Sequence, residues 1–262
     1  MGVDETIGES PVRRDTNDGG VLLDRDPLIS SPGAVLQPAT AGSYGGGRPL
    51  PKSGAAQKAS QDALAANTLE ELNSAIKNYE GCTLKGTASS TVFGDGNPEA
   101  RLMVIGEAPG ADEDRQGRPF VGISGKLMDR MIESIGFNRN TIYITNVVPW
   151  RPPGNRKPTT EEVSLCMPFL ERHIELIAPE VLLLIGGLAA NTVLAMPEGI
   201  TKLRGKWHTY SSANLVHSIP TLATFHPAYL LRSSDQKRLA WRDMLAVKYK
   251  LDGSDPILTD RK

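Results

Sequence analysis

The run Leu102-Met103-Val104-Ile105-Gly106-Glu107-Ala108-Pro109-Gly110 decides the fold. Four consecutive apolar residues without polar alternation describe a strand buried on both faces, and the glycine and proline turn behind them ends it. The same pattern recurs three times: Ile142-Tyr143-Ile144 before Thr145-Asn146, Val181 to Ile185 before Gly186-Gly187, and Thr221 to Phe225 before His226-Pro227. Helical periodicity fills the intervals. It runs from about Ser124 to Ile135, from Pro158-Thr159 with Glu161 and Glu162 in the first turn to just before Pro179, from Leu188 to Leu194, and from Asp235 to Lys248. Strands alternating with helices predict an α/β fold, a three-layer α/β/α sandwich around a central four-stranded parallel sheet. Right-handed crossovers then bring the C-terminal end of every strand to one edge, where open α/β sheets bind their ligands.

Outward from this centre the chain changes character. Residues 1–55 hold 16 glycines and prolines, including Gly45-Gly46-Gly47, and their only apolar clusters are Val21-Leu22-Leu23 and Leu28-Ile29. Too little apolar surface is available there to offset the ordering entropy. Residues 1–59 are therefore expected to be a low-complexity, disordered tail, a docking segment for an unidentified partner at most. Between Ser60 and Tyr79, Leu64, Leu69, Leu72 and Ile76 recur at helical spacing, with Thr68 as N-cap and Glu71 three residues on. The globular domain is expected over 60–250, with 251–262 a short C-terminal tail. Over 262 residues, 29 basic side chains face 30 acidic ones, which excludes a polycation that coats nucleic acid by bulk charge but not a local basic groove. Two cysteines exclude a disulfide scaffold. No run of 18 apolar residues exists, and Met1 to Gly20 lacks an apolar signal region, so a cytoplasmic protein without membrane contact is expected.

The residues just behind the strands carry the chemistry. Glu107 follows the first, and Glu113 and the Gly117-Arg118-Pro119-Phe120-Val121-Gly122 turn lie downstream. Asn146 ends the second, trailed by Arg151-Pro152-Pro153-Gly154-Asn155-Arg156, and His226-Pro227-Ala228-Tyr229-Leu230-Leu231-Arg232 follows the fourth. Two carboxylates, a ring, two carboxamides and an imidazole thus meet at one edge. The glycine turn after the first strand is not the GxGxxG dinucleotide pattern, which weighs against a nucleotide-binding enzyme of another kind. From about Cys82 to Lys248 the chain resembles the type-4 uracil-DNA glycosylases of the uracil-DNA glycosylase superfamily. The resemblance rests on Gly106 to Gly110, Gly117 to Gly122, Asn146, Arg151 to Arg156, Leu203-Arg204-Gly205-Lys206-Trp207 and His226 to Arg232, in that order.

That resemblance implies hydrolysis of the N-glycosidic bond of a uracil swung out of DNA, the first step of base-excision repair. Gly106, Ala108, Phe120 and Asn146 would bind the base. The Asn146 carboxamide can donate to uracil O4 and accept from N3–H, whereas cytosine presents the reverse pattern. Phe120 would stack on the ring, and the loop carrying Glu113 would crowd out the thymine methyl. His226 would donate to the charge developing on O2. Glu107 and Glu113 offer carboxylates for the water or the cationic sugar, with Asn155 orienting the water. Ala108 stands where better-known relatives carry an Asp, so that single base is missing, as in the type-4 enzymes. Leu230 or Leu231 would wedge into the vacated stack, and Arg151, Arg156, Lys157, Arg204, Lys206 and Arg232 would meet phosphates. The expected partner is uracil-containing DNA, bound by a monomer.

One family feature is broken. Type-4 enzymes hold a four-iron, four-sulfur cluster on four cysteines. The corresponding positions are Tyr79, Cys82, Trp150 and Cys166, of which two are cysteine. No cofactor is expected: the cluster is read as lost, with Tyr79 and Trp150 as an aromatic plug and Cys82 and Cys166 as buried thiols. A catalytically weak or inactive uracil- or DNA-binding relative is the alternative reading.

Overall fold

The structure is a computed structural model describing residues 54–254. The expected tails lie outside the described residues up to residue 53 and from residue 255. Helices α1 (Gly54–Ala65) and α2 (Leu69–Asn78) lead into strands β1 (Asp95–Gly96) and β2 (Leu102–Gly106), then helices α3 (Ala111–Gln116) and α4 (Ile123–Glu133). Strand β3 (Ile142–Asn146), helix α5 (Thr160–Ile177), strand β4 (Val181–Ile185) and helices α6 (Gly187–Leu194) and α7 (Ile200–Leu203) follow. Strands β5 (Trp207–Tyr210) and β6 (Ile219–Thr224) and helices α8 (Pro227–Arg232) and α9 (Lys237–Leu251) complete the order.

The strands form one sheet in the order β1-β3-β2-β4-β6-β5. Its central four, β3-β2-β4-β6, are parallel, as the apolar runs predict, and two antiparallel edge strands extend it to six. Alternation along each strand feeds two cores. Met103 and Ile105 of β2 and Leu182 and Leu184 of β4 point into one, shared with α1, α2, α5 and α6. Leu102, Val104, Val181, Leu183 and Ile185 point into the other, beneath α4 and α9. Burying each such side chain contributes about 1.5–3 kcal/mol, which is why the strands read as unbroken apolar runs.

Three boundaries differ from the sequence expectation. Residues 54–59, assigned to the tail, form the first half of α1, where Ala56 and Ala59 are buried. Leu64, counted towards an apolar stripe, is 61% exposed, because the chain breaks after Ala65 and restarts at α2 with a new phase. Thr68 does cap α2, accepting from the Glu71 amide at 3.2 Å. At the other end Leu251, placed in the C-terminal tail, is buried as the last residue of α9. No helix among the described residues is long and apolar enough to cross a membrane.

Candidate active site

The four parallel strands deliver their C-terminal ends side by side. Gly106 and Asn146 are register partners at the ends of β2 and β3. A side chain on Gly106 would collide with both Asn146 Oδ1 and the Phe120 ring, so the glycine leaves room for two groups that converge above it. Gly186, just behind β4, sits at φ +92, and a Cβ there would press within 3.1 Å of His226 Cβ. The His226 ring lies 6.0 Å from the Phe120 ring, with the planes 29° apart. Phe120, Asn146 and His226, separated by up to 106 positions in the chain, therefore gather at the C-terminal ends of the parallel strands.

Each is held by local chemistry. Asn146 is buried, and its carboxamide makes no hydrogen bond with another described residue, leaving donor and acceptor unused at the strand end. His226 is the N-cap of α8, and its Nδ1 accepts the Ala228 amide at 3.1 Å. That bond puts the imidazole proton on Nε2, the nitrogen left to face a ligand. Burial, with Arg232 nearby, pushes its pKa down to about 4, with Glu113 acting weakly the other way, so the ring is neutral at physiological pH. Phe120 is buried yet has φ +54, a left-handed conformation costing about 1–3 kcal/mol for a non-glycine residue. Glu113 helps to hold it: its carboxylate accepts from the amides of Gly110 (3.1 Å), Val121 (2.9 Å) and Gly122 (2.9 Å).

Glu113 is therefore occupied in fixing the Phe120 turn, whereas the half-buried Glu107 carboxylate makes no hydrogen bond with another described residue. Burial raises the Glu107 pKa, with Lys157 pulling it back. Ala108 packs against the core behind the same turn. Asn155 lies on an exposed turn at φ +56 with its Oδ1 taken by Arg151 Nε at 2.7 Å.

The expected DNA-contacting residues divide. Leu230 is 1% exposed and packs with Phe225 and Ala240, whereas Leu231 is 46% exposed. Of the two adjacent leucines only Leu231 faces solvent. Arg204 is mostly buried: it binds Asp243 (Nε to Oδ2 3.0 Å) and the Leu239 carbonyl, and stacks over Phe225. Asp243 also takes the Thr224 hydroxyl at 2.7 Å. The Arg204–Asp243 pair thus braces the end of β6 just before His226, a structural commitment the sequence reading missed because Asp243 lies 39 residues downstream. Arg156 makes two hydrogen bonds to buried Glu162, with Nη1 to Oε2 at 2.8 Å, at the start of α5. Lys157, Lys206 and Arg232 are exposed, and Arg151 is partly so.

All four family cluster positions are in the core on the α5 side of the sheet. Tyr79 and Trp150 are 0% and 1% exposed. The Tyr79 ring folds back over Gly81, where no side chain could stand, and its hydroxyl donates to the Ala55 carbonyl at 2.9 Å. Burial pushes its pKa up to about 12. Its ring meets Phe169 edge-on at 5.1 Å. Trp150 Nε1 donates to Thr91 Oγ1 at 3.0 Å. Cys82 and Cys166 are free and buried beside one another, and the contact with Cys82 together with burial holds the Cys166 thiol well above the ordinary range. A phenol and an indole in these places do not fit a cluster that requires four thiolates.

The sequence profile of the uracil DNA glycosylase superfamily matches residues 93–245. The chain is 39% identical over 189 residues to the type-4 uracil-DNA glycosylase of Archaeoglobus fulgidus, spanning 71% of this chain and 89% of the relative. It is 37% identical over 183 residues to that of Thermotoga maritima, with 69% and 93% covered, and 36% identical over 199 residues to that of Saccharolobus solfataricus, with 74% and 91% covered. On the profile match and these relatives, the chain belongs to the uracil-DNA glycosylase superfamily.

Proposed function

We propose that the protein is a monofunctional uracil-DNA glycosylase whose pocket is the crevice of Phe120, Asn146 and His226. The observation that carries this reading is the meeting of Phe120 and Asn146 over Gly106, with the His226 ring 6.0 Å from that of Phe120. A stacking face, an unspent carboxamide and a neutral imidazole with a free N–H are what an extruded uracil requires. Asn146 donates to O4 and accepts from N3–H, and a cytosine in its place leaves both partners unpaired, at a cost of about 1–3 kcal/mol each. Gly106 and Ala108 line the pocket as backbone without bulk.

The C1′–N1 bond breaks with its electron pair leaving on uracil, and the sugar becomes cationic. His226 Nε2–H donates to the charge gathering on O2, an interaction that strengthens as the bond breaks. Glu107 favours the cationic sugar and orients the water that adds to C1′, and the water proton passes to solvent while uracil takes up another. Glu113 acts through the backbone it holds, and Asn155 through the Arg151 turn. Leu231 fills the vacated stack, while Arg151, Lys157, Lys206 and Arg232 supply charge for the phosphates.

The same reading makes the enzyme independent of an iron-sulfur cluster. Tyr79, Trp150 and the two thiols fill the cluster positions with packed side chains, and the packing ties α1 and α2 to α5 in its place. The test is incubation with uracil-containing and matched thymine-containing oligonucleotides followed by alkali. Strand breaks confined to uracil support the assignment, and binding without breaks would reduce the protein to a uracil-binding relative.

A further inference from the structure

Phe120 points into the crevice only because its backbone is left-handed, and Glu113 secures just the amide side of that turn. The carbonyl side is secured from elsewhere. Arg139, in the connection between α4 and β3, donates through Nη1 to the Pro119 carbonyl at 3.1 Å and through Nη2 to the Phe120 carbonyl. Its remaining donors are anchored: Nε on Asp129 of α4 at 2.9 Å and Nη1 on Asp95 of β1 at 2.9 Å. Asp95 is further held by Arg118 at 2.9 Å, on the same turn as Phe120. On the helix side Gly125 lies so close that any Cβ would collide with the Phe120 backbone. The guanidinium is only 22% exposed and has the planar fork that serves two carbonyls and two carboxylates at once.

We propose that Arg139 is a positioning residue for base recognition, clamping the Pro119 and Phe120 carbonyls so that the Phe120 ring stays turned over Gly106. The proposal rests on Phe120 being the face on which uracil stacks. Arg139 never touches the base; it fixes the angle at which the ring is presented. Losing the clamp lets Phe120 relax to an ordinary right-handed or extended backbone, and the ring swings out of the crevice.

The test uses the full chain, with Arg139→Ala, Arg139→Lys, Phe120→Ala and the Arg139→Ala/Phe120→Ala double variant. Single-turnover uracil release and inhibition by free uracil are measured well below each variant's Tm. Stacking of one base corresponds to roughly a 5- to 150-fold effect. Arg139→Ala is therefore expected to weaken inhibition by free uracil and slow release about 10-fold or more. Arg139→Lys should do nearly as much, because a single ammonium cannot span two carbonyls and two carboxylates. In the Phe120→Ala background the Arg139 substitution should cost nothing further, since neighbours acting through one group are not additive. Arg101→Ala serves as a control: it removes an ion pair with Glu180 at 2.7 Å, lowers Tm, and leaves inhibition by uracil unchanged. Wild-type inhibition by uracil in both Arg139 variants, or full multiplication of effects in the double variant, overturns the clamp. A Phe120→Ala enzyme with normal rate and normal inhibition by uracil would instead overturn the functional reading, and the clamp with it.

Discussion

Replacing His226 by Gln tests the catalytic reading most directly. The Nδ1 acceptor for the Ala228 amide and the Nε2–H donor are lost together, and the carboxamide that replaces them cannot hold the same direction. Removing one preorganised donor of this type costs about 10²- to 10³-fold in rate. The pH profile distinguishes a neutral donor from a cationic one. With a pKa lowered to about 4 by burial, only about 3% of His226 is protonated at pH 5.5, against about 90% for a free imidazole. Single-turnover uracil release should therefore carry no His226 limb between pH 5 and 8. Stability follows the same linkage. Below pH 6.5 the unfolded chain binds a proton that folded His226 refuses, so its contribution is complete above pH 6.5 and is lost as pH falls towards 4, about 3 kcal/mol in all. His173, buried against the Tyr143 hydroxyl with a pKa lowered to about 3, adds in the same direction, and His226→Gln isolates the first contribution. The assays are quench-flow at several pH values and nitrogen NMR of the imidazole. A kinetic limb at pH 6–7 that vanishes in His226→Gln, or a proton found on Nδ1 at pH 7, refutes the reasoning.

Asn146→Ala should lower kcat/KM for uracil about 100-fold or more while leaving Tm nearly unchanged, measured by oligonucleotide cleavage and calorimetry. The paired leucines should separate cleanly. Leu230→Ala destabilises by about 2–5 kcal/mol in denaturant titration, and Leu231→Ala leaves stability within about 0.5 kcal/mol but slows excision from duplex more than from single strands. Arg204→Ala, which strands the Asp243 carboxylate, should cost about 3–5 kcal/mol of stability and make little change to the salt dependence of DNA binding. Anaerobically purified protein should contain no stoichiometric iron, and Trp150→Ala should cost about 3–5 kcal/mol; a brown, iron-loaded preparation would sink the plug.

The fold centre, and which residues stand at its strand ends, were readable in one dimension. A buried parallel strand announces itself by an unbroken apolar run, and Gly106, Asn146 and His226 stand at fixed offsets from such runs. The edge strands were not readable: β1 is two residues long and has no period, and β5 is four residues long with only Tyr210 buried. The short helices α3 and α8 were hidden behind glycine and proline, which read equally well as loop.

The sequence by itself determined which side chains are available and which strand ends carry them, because hydrophobic periodicity is a local property of the chain. Only tertiary structure decided what each is free to do. Glu113 binds amides eight and nine residues on, Arg204 is spent on Asp243, Leu230 faces inward while Leu231 faces out, and Arg139 reaches Phe120 from another connection. Direction and partnership depend on helix phase and on groups distant in sequence, and a charge or carbonyl is committed only when folding brings its counterpart within about 3 Å.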